Sequence, residues 1–281
     1  MSLSINTNLN SLSISRALQL QPFTSRRFVE LASGRKPLTV SNPAGLVISQ
    51  AGLAQLRRIN QARENLEIGV SFAQTAEGGV DSIQEDLQRM RELAVQASSD
   101  TLTDEDRQAI GTEIQALKEN IDQTVSTTSF NGQHPLSSDD DVVVDASAGP
   151  RIAIPGQGSE IAATLTDLAT ATDDFSATPS AETAAALVAQ IDDTLTDMSA
   201  VRATYAAAET RFASTARSLS TASVATAEAE ARIADADVAR SAVQLAIARI
   251  FGESNMALLA QSNVNQALAV RLLSSSLLVT G

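Results

Sequence analysis

INQARENLEIGVSFAQTAEGGVDSIQEDLQRMRELAVQA, running from Ile59 to Ala97, is the stretch that decides the fold. Apolar residues or glycine recur at Ile59, Ala62, Leu66, Gly69, Ala73, Ala76, Val80, Ile83, Leu87, Met90, Ala94 and Ala97, in alternating steps of three and four. The residues between them are mostly Arg, Glu, Asp, Gln, Asn and Ser. This spacing predicts an α-helix with one narrow apolar seam, and a sustained 3.5-residue period implies left-handed supercoiling against a partner. At about 1.5 Å per residue the helix runs roughly 58 Å, longer than a compact globule needs. Such a rod asks for a second rod.

The same chain supplies it. Ala184, Leu187, Ile191, Thr194, Met198, Val201, Tyr205, Ala208, Phe212, Thr215, Leu219 and Ala222 repeat the three-four alternation over an equal length. Both seams use small residues heavily, so the two axes can approach closely while Leu, Ile, Met and Phe fill the gaps. Periodicity alone fits an ordinary coiled-coil tether or a spectrin-like bundle equally well. Either way the expected class is mainly α, with long rods in an antiparallel bundle.

Composition sets the bounds. The 281 residues contain no Cys and no Trp, one Tyr, and only 3% aromatics, while hydrophobics reach 43%. Thin helical bundles suit that mixture better than a large core, and disulfides and thiolate metal sites are excluded. MSLSINTNLN has neither the basic nor the apolar region of a signal peptide. The apolar tail from Ala257 is interrupted by Asn, Gln and Arg271, so no membrane span is expected. Of the net charge of −13, −11 falls between Ser137 and Ala200, where twelve acids face Arg151 alone. The first forty residues carry +4. The middle reads as a solvated face and the ends as regions that can pack inside something. No basic stripe with interleaved aromatics is present, which disfavours nucleic-acid binding.

In chain order, Ile5, Leu9 and Leu12 share one face of a weak amphipathic helix ending near Gly34, with Pro22 expected to kink or interrupt it. Asn42 is placed to cap the first rod, with Pro43 at its first helical position. Thr103 and Asp106 form a capping box for a shorter helix with Ile110, Ile114, Leu117 and Ile121 on one face. Val142 to Ile154 reads as a small hairpin, and the glycines and threonines from there to Ser180 read as loop. The second seam is expected to continue through Thr226, Ala229, Ile233, Ala236, Arg240, Val243, Ile247 and Ile250, with a break at Gly252. Met256, Leu259, Val264, Leu268 and Leu272 then mark a nearly uncharged helix that is apolar on several faces, as a helix with several neighbours would be.

Chemistry is sparse. His134 is the only histidine and sits beside Pro135 in an expected loop, so multi-histidine metal sites are excluded. Asp139-Asp140-Asp141 lacks the Gly and terminal Glu of a calcium-binding loop. The glycines do not have phosphate-cradling spacing. No catalytic residue, metal or cofactor is expected.

Longer strings carry more information than periodicity. GVSFAQTAEGGVDSIQEDLQRMRELAVQASSD (Gly69 to Asp100) closely resembles the N-terminal rod of bacterial flagellins. INTNLNSL, ELASGRK, AGLVIS and SFNG resemble further segments of that family, in order, as do RFASTARSL, ARIADADVA and ALLAQSNVNQALAVRLL on the C-terminal side. The chain departs from the family pattern in Val40-Ser41-Asn42-Pro43, Pro22 and Pro37, and in a short middle that leaves no room for large outer domains. The resemblance implies a core-only subunit that is exported without a cleavable signal and polymerises into an extracellular helical filament for swimming. Its terminal helices (1–40 and 240–281) would form an inner layer through Ile5, Leu9, Leu12, Val243, Ile247, Leu259, Leu268 and Leu272. The rods (41–136 and 181–239) would form an outer layer held by Leu66, Val80, Ile83, Leu87, Met90, Leu187, Ile191, Met198, Val201, Phe212 and Leu219, with an acidic hairpin and loop at 137–180. Implied partners are further copies of the chain, an export chaperone, a filament cap and hook-junction proteins, with no nucleic acid and no membrane. For the monomer, the resemblance also implies vertebrate Toll-like receptor 5, through Arg89, Leu93 and Glu113. The same resemblance leaves room for a hook–filament junction protein or a flagellin-like surface ligand-binding protein.

Overall fold

The computed structural model describes residues 7–37, 42–144 and 151–277. Its elements in order are α1 (Thr7–Ser33), α2 (Pro43–Ala97), α3 (Asp104–Thr127), β1 (Val142–Val144), β2 (Ile152–Ile154), α4 (Gly158–Ala177), α5 (Ala181–Ala234) and α6 (Val238–Leu277). The chain divides into two compact units, residues 1–54 with 226–281 and residues 55–225. These boundaries lie inside α2 and α5.

In the unit of residues 55–225, the partners on α2 and α5 run in opposite directions. Gln74 meets Glu209 at 2.8 Å, Gln84 meets Ser199 at 3.2 Å, and Arg91 meets Asp192 at 2.5 Å. The polar flank thus fixes an antiparallel register, although exposed pairs of this kind contribute only about 0–1 kcal/mol each. All twelve seam positions of α2 are buried. On α5 the seam is buried from Ala184 to Phe212 and again at Leu219, but Ala222 is exposed. Burial of these apolar side chains stabilises the pairing by about 1.5–3 kcal/mol for each large residue.

α2 carries a second buried stripe one step off the seam, at seven-residue spacing: Phe72, Gly79 and Leu93, with half-buried Asp86 between them. Phe72 meets Phe130 edge-on, with ring centroids 6.0 Å apart. Gly79 lies so close to Leu136 and Thr128 that an added Cβ would come within 2.8 Å of each. At Phe72 and Gly79 this stripe is the face α2 turns to the segment beyond α3. Burial raises the carboxyl of Asp86, and neighbouring Glu85 raises it further.

The short turn after α2 is held by a residue that periodicity does not flag. Arg107 is buried; its Nε donates to Ala97 O (3.0 Å) and its Nη2 to Ser99 O (2.9 Å). Ala97 O is a carbonyl left open where α2 ends and Ser99 lies in the turn just beyond it, so a cation from α3 closes the helix terminus. Thr103 and Asp106 form the expected capping box on α3. Asn131 and Gly132 both adopt positive φ in a two-residue turn closed by reciprocal bonds between Phe130 and Gln133 (2.8 and 3.0 Å). β1 and β2 pair antiparallel, with Val143 opposite Ala153; the connecting residues 145–150 lie outside the description.

Residues 158–177 correct the sequence reading, since they form helix α4 rather than loop. Ile161, Thr164, Leu168, Thr172 and Phe175 bury one face of α4, and Phe175 sits over Gly111 of α3. Threonine at two of those five positions replaces the expected aliphatic pattern; Thr172 satisfies its hydroxyl on Leu168 O at 2.8 Å.

In the other unit, α1 and α6 pack against each other. α1 is continuous through Pro22, so packing outweighs the roughly 3 kcal/mol a helix-interior proline costs. It ends at Ser33, and Gly34 takes φ +67 in the left-handed region that glycine tolerates. Asn42 Oδ1 accepts from Gly45 N at 2.9 Å and caps α2. The expected continuation of the second seam fails here. α5 stops at Ala234, where Lys36 N donates to Ala234 O (2.7 Å) and Ala236 N to Gly34 O (2.9 Å). Asp237 then caps α6, its Oδ1 accepting from Arg240 N at 3.0 Å. The buried positions of α5 become Glu230, bonded to Arg35 and to Ser49 Oγ (2.8 Å), and Ala234. Gly252 does not break α6, which passes straight through it.

Candidate functional site

α6 is amphipathic in the reverse sense. Its buried positions are Ser241 and Ala248, continued by half-buried Gln244, Leu245, Gly252, Asn255 and Leu259. Most of the described large apolar residues point the other way: Val243 is 58% exposed, Ile250 62% and Leu258 63%, with Ile247, Phe251, Met256, Val264 and Leu268 similarly open. Positions 243, 247, 250 and 258 fall on one stripe at helical spacing. Phe28 and Val29 of α1, and Val47 and Ile48 near the start of α2, are also exposed. Large apolar residues left open at helical spacing along α6 mark a candidate interaction surface.

Of the assembly residues read from the sequence, Val243, Ile247 and Leu268 are exposed, and Leu259 is half-buried on the inward face. Ile5 lies outside the described residues, as do the side chains of Leu9, Leu12 and Leu272. The rod residues Leu66, Val80, Ile83, Leu87, Met90, Leu187, Ile191, Met198, Val201, Phe212 and Leu219 lie in one buried cluster.

The structure brings two of the three recognition candidates together. Arg89 Nη2 reaches Glu113 Oε1 at 3.0 Å, and Nη1 reaches Glu92 Oε2 at 3.1 Å, all three residues being exposed. Hydrogen bonds to Glu113 and then Glu92 raise the guanidinium further above its ordinary value. Leu93 differs from this pair in exposure. It is only 4% exposed, because it belongs to the second buried stripe of α2.

Among the described residues, no group of three or more His, Asp and Glu is placed to hold a metal ion, and no helix is long and apolar enough to cross a membrane.

Residues 5–140 match the family described as the bacterial flagellin N-terminal helical region, and residues 188–273 match the bacterial flagellin C-terminal helical region. The chain is 34% identical over 274 residues to a flagellin of Halalkalibacterium halodurans, covering 96% of this chain and 99% of that one. It is 30% identical over 286 residues to the flagellar filament 30.7 kDa core protein of Treponema maltophilum, with 96% and 99% covered. A solved structure of a putative flagellar hook-associated protein from Vibrio parahaemolyticus superposes with a TM-score of 0.50 at 18% identity, covering 70% of this chain and 96% of that one, a likeness of fold alone. These matches place the chain among structural proteins of the flagellar filament. The chain belongs to the bacterial flagellin family, in a short form of the size of the 30 kDa core proteins.

Proposed function

We propose that this chain is the self-polymerising subunit of an extracellular bacterial flagellar filament, and that the outward faces of α6 and α1 make the contacts between subunits. The observation that carries this reading is the reversed amphipathy of α6: most of its described large apolar side chains face solvent while Ser241 and Ala248 face inward. Neighbouring copies offer a way to bury that stripe, and a contact repeated head to tail without closing generates a helix. Export as an unfolded chain without a cleaved leader, and handling by an export chaperone, a filament cap and hook-junction proteins, accompany this role in the family the chain resembles. Deleting residues 240–281 is expected to leave a soluble, helical monomer that sediments without filaments. Filaments from the truncated chain would refute the reading.

A second surface has its own observation. The exposed Arg89–Glu113 pair bridges α2 and α3 and contributes little to stability, since both partners are half open to water. We infer that this pair is the polar centre of the monomer's recognition by Toll-like receptor 5, with Leu93 acting from beneath to fix the spacing of the two helices. Arg89→Ala is expected to remove most receptor binding with helicity unchanged. Undiminished binding in a titration with folded monomer would show the assignment to be wrong.

A further inference from the structure

A cavity of about 440 Å³ opens among α1, the segment after it and the first turns of α6. Four cations line it, Arg26, Arg27, Lys36 and Arg240, against two carboxylates, Glu30 and Asp237. The carboxylates are already committed. Glu30, itself buried, holds Arg27 Nη1 at 2.6 Å, and Asp237 caps α6 through Arg240 N at 3.0 Å. Arg27 is further fixed by stacking over Phe23, its guanidinium carbon 5.2 Å from the ring centre. Arg26 and Lys36 have no ion-pair partner among the described residues. The cavity therefore carries a surplus of about two positive charges in a chain of net charge −13.

Two polar side chains stand in its wall. Ser241 is only 2% exposed and lines the cavity. Gln244 Oε1 is buried with no partner. An unmet polar group of this kind costs stability unless something supplies the missing bond. A doubly charged tetrahedral oxyanion matches the whole set. Its charge balances the surplus, its oxygens accept from Arg26, Lys36, Arg27 and Ser241, and a P–OH proton, where present, donates to Gln244 Oε1.

We propose that this cavity is a binding site for an oxyanion of the phosphate class, with hydrogen phosphate favoured over sulfate because only the former carries that proton. Occupancy would tie α1, the segment after it and α6 together through one ligand.

The test titrates the full chain calorimetrically with sodium phosphate at ionic strength held constant with sodium chloride, with a parallel sulfate arm. The expected result is saturable binding of one phosphate per chain, several-fold weaker sulfate binding, and a loss of at least tenfold in phosphate affinity in the Arg26→Gln/Lys36→Gln double variant. Both side chains are exposed, so circular dichroism of that variant should match the parent. Arg232→Gln/Arg249→Gln, an equal charge change outside the cavity, should bind as the parent does. Gln244→Leu should bring phosphate and sulfate to equal affinity. Heats no larger than those of chloride, an adventitious ion only, would overturn the site, as would unchanged affinity in the double variant. Equal phosphate and sulfate affinity in the parent chain would overturn the role given to Gln244.

Discussion

Tyr205 shows how much a single side chain reports about the rod. It is the only tyrosine, it is buried on the α5 seam, and its hydroxyl donates to Pro135 O at 2.6 Å, tying the loop before the hairpin to the helix. Burial pushes its phenol up from 10.0 to about 12. The folded chain therefore holds this proton more tightly than the unfolded one. The associated stability is complete below pH 10 and is lost as pH rises toward about 12. At the limit this contribution is on the order of 2–3 kcal/mol. Tyrosinate absorbance and loss of helicity are expected to rise together across that window, with no tryptophan to obscure the signal. Tyr205→Phe should remove that alkaline contribution while costing about 1–3 kcal/mol near neutrality, because the Pro135 carbonyl loses its donor. An alkaline limb unaffected by the substitution would contradict this account.

At the scale of elements, two adjacent glycines separate packing from propensity. A Cβ on Gly78 would meet nothing within 4 Å, whereas one on Gly79 would come within 2.8 Å of both Leu136 and Thr128. Gly78→Ala is expected to stabilise α2 by up to about 1 kcal/mol through helix propensity alone. Gly79→Ala gains the same propensity but forces the loop outward, for a net loss of about 1–3 kcal/mol. Urea midpoints that move the same way in both variants would mean the second stripe is misplaced. That stripe also marks where the sequence ceases to be transparent. The α2 seam was legible because twelve successive positions obey one period and one straight partner covers them. Leu93 was not, because a helix with a second neighbour buries positions one step off its seam, and the period of the first neighbour hides the second. α4 was hidden by Thr164 and Thr172, whose hydroxyls bond to carbonyls four residues back and so let polar residues occupy an inward face. The end of α5 was hidden because the three-four spacing continues by coincidence across Asp235-Ala236-Asp237, although Asp237 is a competent cap. The reversed face of α6 could not be read at all, since with apolar residues on every side only the packing partner decides which side is inward.

At the scale of the whole molecule, charge and apolar surface are segregated along the sequence. Residues 137–200 carry −11, while α6 holds a single acid, Glu253, among its exposed aliphatic side chains. Like-charged acidic surfaces repel one another between copies, so association is directed to the terminal helices. The flagellin family supplies the role, and under the proposed assembly the stripe left open on α6 in one copy is buried by another. The measurement that reaches this claim most directly compares the full-length chain with Ile247→Asp/Ile250→Asp by sedimentation and negative-stain microscopy under conditions where the parent polymerises. Both positions are exposed in the monomer, so the double variant should keep its helicity and shift stability by no more than about 0.5 kcal/mol per site. Burying unpaired carboxylates between subunits should nevertheless cost several kcal/mol per contact. The account predicts a folded monomer that forms no filaments; filaments at the parent's yield would contradict it.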